Sequence, residues 1–166
     1  MATSGSADFE LAVDDYIEEA FERCGLEIRT GYDLKTAKRS LNLLFADWAN
    51  RGLNRWTITQ TTTTITDGTT EYTLAADTID VLSAVIRENA GTASQTDTAI
   101  SRIGRDTYLN ISSKLTESRP TQFYIDRQIV PKIRLYPTPN ATYSLVYDRL
   151  TRIEDADTFT DTVEVP

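Results

Sequence analysis

The side chains in this 166-residue chain best suited to chemistry are its carboxylates, and their spacing fits none of the reactions they suggest. Asp155, Asp157 and Asp161 alternate like the first ligands of a calcium loop. The glycine needed at the sixth position and the glutamate needed at the twelfth are missing. Glycoside hydrolysis needs two acids about 5–10 Å apart around a cleft. Among 25 acids some pair meets that distance by chance, so the count carries no signal. The chain has no histidine, which removes the commonest general acid–base, the Ser–His and Cys–His pairs and the usual zinc site. No phosphate-binding glycine loop, dinucleotide fingerprint or nucleophile elbow is present. The single cysteine, Cys24, rules out an intrachain disulfide and any CxxC site, and it closes an apolar helix stripe as a core residue would. These readings predict a protein that is not an enzyme and takes neither metal nor cofactor.

Composition narrows the class further. Hydrophobic residues make up 40% of the chain, enough for one domain, or for a domain with a helical appendage. The longest apolar runs fall far short of the ~20 residues that span a bilayer. The N-terminus, MATSGSADFE, lacks the basic and apolar regions of a secretory signal, so the sequons at Asn110 and Asn140 are expected to be chance. A reducing cytosol is the expected setting. The net charge of −8 is uneven. Residues 1–30 hold eight acids and two bases, residues 31–60 two acids and five bases, and residues 151–166 five acids and one base. So acidic a chain does not hold nucleic acid by bulk attraction for phosphate.

Two helices are predicted at the N-terminus. From about Asp8 to Cys24, the residues Val13, Ile17, Ala20, Phe21 and Cys24 form one stripe of 3.6-residue period, and Gly25 follows as the natural stop. The opposite face carries Asp14, Asp15, Glu18, Glu19 and Glu22. In the second helix Asp33 is the expected N-cap, Leu34, Ala37, Leu41, Leu44, Phe45 and Trp48 form the stripe, and Gly52 is the stop. Lys35, Lys38 and Arg39 crowd its first turns, the unfavourable end of the helix dipole, and such a broken rule can mark a contact.

After Trp56 the pattern turns to β. Eleven threonines lie between Thr57 and Thr78, a composition suited to a pleated surface. Trp56, Ile58, Gln60, Thr62 and Thr64 share one side of a predicted strand. Asp67-Gly68 is read as a hairpin turn from which Thr70 to Leu74 returns. Val81–Arg87 reads as a buried strand, and 89–98 as a polar loop suited to touching a partner. Residues 105–115 suggest a short helix with Tyr108, Leu109 and Ile111 inward. Strands follow at Gln122–Arg127, Lys132–Tyr136 and Tyr143–Leu150. The predicted fold class is α+β: an N-terminal antiparallel helix pair, then an antiparallel β-sandwich or small barrel with one short helix. The predicted parts are 1–55 (helical), 56–150 (β) and an acidic C-terminal segment, 151–166. Trp48 and Trp56 are expected to pack, and Arg119, Pro120, Tyr136, Pro137 and Pro139 to end strands and shape turns.

Three segments in this order resemble one family. They are Phe45-Ala46-Asp47-Trp48-Ala49-Asn50-Arg51-Gly52-Leu53, Ser118-Arg119-Pro120-Thr121-Gln122-Phe123-Tyr124-Ile125-Asp126-Arg127, and Ile133-Arg134-Leu135-Tyr136-Pro137-Thr138-Pro139. The chain resembles, from about Asp8 to Leu150, the head-to-tail adaptors of short-tailed bacteriophages, also called tail accessory factors. The resemblance implies a virion protein at the head–tail junction, assembled in the host cytoplasm. It implies a ring of twelve copies between the portal protein and the tail nozzle protein, continuing the DNA channel without binding DNA specifically. It also implies a further apolar helix and a tail beyond Val165-Pro166 that enters the portal.

Within that picture, Asp14, Asp15, Glu18 and Glu22 are expected to meet Lys35, Lys38 and Arg39, either of a neighbouring copy or within one subunit. An acidic channel wall would fit DNA transit. A second reading is a β-sandwich binding module of a tail or fibre that recognises glycan or receptor. Tyr72, Tyr124, Tyr143 and Tyr147 would be its aromatic platform. A third, an acidic glycan hydrolase, has only the carboxylate count behind it.

Overall fold

A computed structural model describes residues 12–28, 31–52, 57–153, 158 and 160. Trp56, the helix start near Asp8, Asp155, Asp157 and Asp161, and most of the acidic segment 151–166 lie outside the described residues. The chain divides into two compact units, Met1–Trp56 with Ile153–Pro166, and Thr57–Arg152.

The first unit holds α1 (Val13–Arg23) and α2 (Gly31–Asn50). Val13 and Ile17 are buried between the helices, with Phe21, Ile28, Leu34, Ala37 and Leu41 packed against them. That is the apolar seam that the 3.6-residue spacing demands. At the start of α1 the Asp15 carboxylate accepts the Ala12 N–H at 3.2 Å. At its end the Leu26 and Gly25 N–H groups donate to the Phe21 and Glu22 carbonyls, both at 2.9 Å. This C-cap needs a left-handed residue, and Gly25 supplies it with φ of 70°. Gly52, with φ of 68°, plays the same part after α2.

Three expectations for the helices need correction. Asp33 is not an N-cap but lies in the first turn of α2, because the helix already includes Gly31. Cys24 is exposed rather than core, since it is the C-cap residue where the chain turns out of the helix. Leu44 is 42% exposed, while Phe45 is buried and its ring lies 6.0 Å from that of half-buried Trp48, tilted by 53°.

The second unit holds β1 (Ile58–Ile65), β2 (Glu71–Thr73), β3 (Thr78–Glu88), β4 (Thr96–Ala99), β5 (Ser101–Arg102), α3 (Arg105–Leu109), β6 (Gln122–Asp126), β7 (Lys132–Tyr136) and β8 (Tyr143–Thr151). They form two four-stranded sheets, one in the order β1-β8-β3-β4 and the other β2-β7-β6-β5. All pairs are antiparallel except β5 with β6. One apolar core joins them. Ile65, Val81, Ala84, Ile86, Leu145 and Tyr147 come from the first sheet, and Phe123, Ile125, Ile133 and Leu135 from the second. Their alternation along β6 and β7 is the period-two pattern of a sandwich with one buried face per sheet.

The Asp67-Gly68 turn is present, with Gly68 at φ of 71°, but β1 and β2 are not a hairpin. β1 pairs with β8 and β2 with β7, so the turn carries the chain from one sheet to the other. The Tyr72 hydroxyl braces this corner. It accepts the Thr66 N–H at 2.9 Å and lies 3.1 and 2.9 Å from the Thr66 and Thr69 carbonyls. The polar loop is shorter than expected because β4 begins at Thr96. In α3, Tyr108 is buried, but Leu109 is 58% exposed because the helix ends there.

Candidate docking surfaces

The residues singled out from sequence fall on two helix surfaces and around the buried turn after β7. On α1, an open groove is lined by Asp15, Tyr16, Glu19, Ala20 and Arg23. Glu19 and Arg23 pair along the helix at 2.7 Å, so the groove is acidic at one end and neutralised at the other. Asp14, Glu18 and Glu22 lie further around α1, beside this groove rather than in it. On α2, Lys35, Lys38 and Arg39 do come together, lining a second groove with Gly31, Asn42 and Leu43. Leu43 and Tyr32 stand exposed on this helix at 65% and 74%. Leu43 thus places one exposed apolar side chain in the basic groove, and Tyr32 stands one turn before Lys35 on the same helix.

The proline-bearing motifs lie in the second unit and lock a loop to the end of β7. Pro120 and Pro139 are fully buried, as is Thr138. The Thr138 N–H donates to the Thr116 carbonyl and its hydroxyl to the Lys114 carbonyl, both at 3.0 Å, while its own carbonyl accepts the Ser118 N–H at 2.9 Å. Tyr136-Pro137 is a cis peptide. Arg119 reaches Glu88 at 3.4 Å.

Ion pairs that sequence reading missed hold the other end of the sandwich. Both Asp80 oxygens accept bonds from Arg102, at 2.9 and 3.0 Å, and Arg127 donates to one of them at 2.7 Å. Burial works against the Asp80 charge, but the bonds and charge of Arg102, helped by Arg127, hold its pKa below the ordinary carboxylate value. Glu71 is held low in the same way by its bond from Lys132, against burial and with the help of Arg134. No spacing signal marks such pairs, because the partners meet only across strands.

The four tyrosines do not form an aromatic platform. Tyr147 is core, Tyr72 braces the corner, Tyr124 stacks on Tyr108 at 5.4 Å, and Tyr143 bonds Asn140 at 2.8 Å. Among the described residues no group of three or more His, Cys, Asp or Glu side chains could hold a metal ion. No described helix is long and apolar enough to cross a membrane.

The fold and these surfaces define a two-part α+β chain, a helix pair with charged grooves and an ion-paired β-sandwich. The model of the SU10 adaptor protein family matches residues 7–166, and the chain belongs to that family. It is a phage structural adaptor, not an enzyme, and binds other components of the virion. A search of curated proteins returned no match.

Proposed function

We propose that this adaptor forms a ring, twelve-fold by its resemblance to head-to-tail adaptors, between the portal protein and the tail nozzle protein. In this reading residues 1–55 make the ring, residues 56–150 receive the tail, and residues 151–166 lead toward the portal. One observation carries it. The helical unit presents two unlike surfaces, an acidic face of α1 running from Asp15 in its groove to Asp14, Glu18 and Glu22 beside it, and a basic groove on α2. A closed ring needs a heterologous contact, with two unlike patches on every copy. Asp14, Asp15, Glu18 and Glu22 of one copy then face Lys35, Lys38 and Arg39 of the next, with Tyr16 and Leu43 as apolar filling. The net charge of −8 supports a channel through which DNA passes without being held. Imaging the protein by negative stain, alone and mixed with portal, tests the reading. A ring coaxial with the portal is the expected result, and copies that stay monomeric on saturating portal contradict it.

A further inference from the structure

We infer that the outer edge of β1 is a strand-addition site for an extended, uncharged segment of another tail polypeptide. The two sheets have four edge strands, and three are guarded. β4 has four residues, with Asp97 locked to Arg87 across the pair. β2 has three, with Glu71 ion-paired to Lys132 and Arg134. β5 has two, one of them Arg102 in its pair with Asp80. Short length and charge are the usual means of keeping an edge from pairing. β1 has neither. It runs eight residues and bonds only β8, and from Thr57 to Thr66 the sequence has no charge, proline or glycine. Its outward side chains Gln60, Thr62 and Thr64 are exposed, while Ile65 closes the core.

The occupant follows from symmetry and from this alternation. The inference rests on the ring reading, in which every copy–copy contact is heterologous. Pairing of β1 with a second β1 is two-fold and has no place in such a ring. The other edges of a second copy are too short and too charged to match eight neutral residues. The partner strand therefore comes from a different polypeptide, bound through main-chain hydrogen bonds. Its inward positions, laid beside Thr61, Thr63 and Ile65, call for small β-branched apolar residues, and its outward positions for neutral polar ones.

Hydrogen exchange on portal-bound rings, with and without nozzle protein isolated from virions, tests this. The amides of Ile58–Ile65 that point away from β8 should slow at least tenfold when the nozzle binds, while those already bonded to β8 need not change. Thr62→Lys and Thr64→Lys, which place guard charges on the edge, should weaken nozzle binding at least tenfold while rings still form. Thr62→Val, neutral and β-branched, should bind as wild type and controls for folding. Rings that bind nozzle while β1 exchange is unchanged, or lysine variants that bind normally, overturn this inference alone. A chain that forms no ring on the portal overturns the ring reading and this inference with it.

Discussion

Asp80 and Arg102 meet through two parallel bonds, each guanidinium nitrogen donating to its own carboxylate oxygen at 2.9 and 3.0 Å. Asp80 is on β3 in one sheet and Arg102 on β5 in the other, so the pair ties the two sheets together outside their apolar core. Arg127, just past β6, adds a third bond to the same carboxylate. Bidentate pairs of this kind fix orientation as well as adding energy.

Asp80→Asn should destabilise the β unit by about 1–3 kcal/mol, because two guanidinium groups lose a partner that is itself only 15% exposed. The pH dependence follows from its lowered pKa. The contribution is present above the unfolded carboxylate value near ~4 and is lost as pH falls through the lower folded value. Urea midpoints of wild type and Asp80→Asn should differ at neutral pH and converge in acid.

Tyr72→Phe should cost about 0.5–1.5 kcal/mol, since the exposed Thr66 N–H at the corner between sheets exchanges its hydroxyl acceptor for water. The ring itself packs against the core and remains, so the midpoint should shift with the denaturant slope unchanged.

Phe123→Ala should cost about 3–5 kcal/mol, as for a large ring removed from a packed interior. Phe123 is 1% exposed and lies in the cluster shared by both sheets. Thermal melts should show the β-unit midpoint lowered by more than about 10 °C. Cys24→Ser, at an exposed cap, should leave the melt within about 0.5 kcal/mol of wild type.

Lys35→Glu with Arg39→Glu should abolish rings on the portal, and adding Glu18→Lys with Glu22→Lys should restore them. These four side chains are exposed, so none of the changes disturbs the seam between α1 and α2. Rings that survive the first pair, or are not restored by the second, argue against the paired surfaces.

The sequence by itself determined the local pieces. The stripe Leu34, Ala37, Leu41 and the stops at Gly25 and Gly52 follow from helix period and from the left-handed turn that only glycine adopts freely. The span Lys132–Tyr136 follows from its alternation, since β7 buries every second residue. The basic trio Lys35, Lys38 and Arg39 was legible for the same reason, because neighbours on one helix are set by spacing alone. Pairing across the chain was not legible. Gln60 meets Asp148 across 88 positions, and Asp80 meets Arg127 across 47. No local period encodes such distances. That β1 leaves Asp67-Gly68 to join β8 rather than β2 was therefore decided only by the tertiary fold. There, Ile65 and Leu145 must enter one core while Tyr72 turns the chain into the opposite sheet.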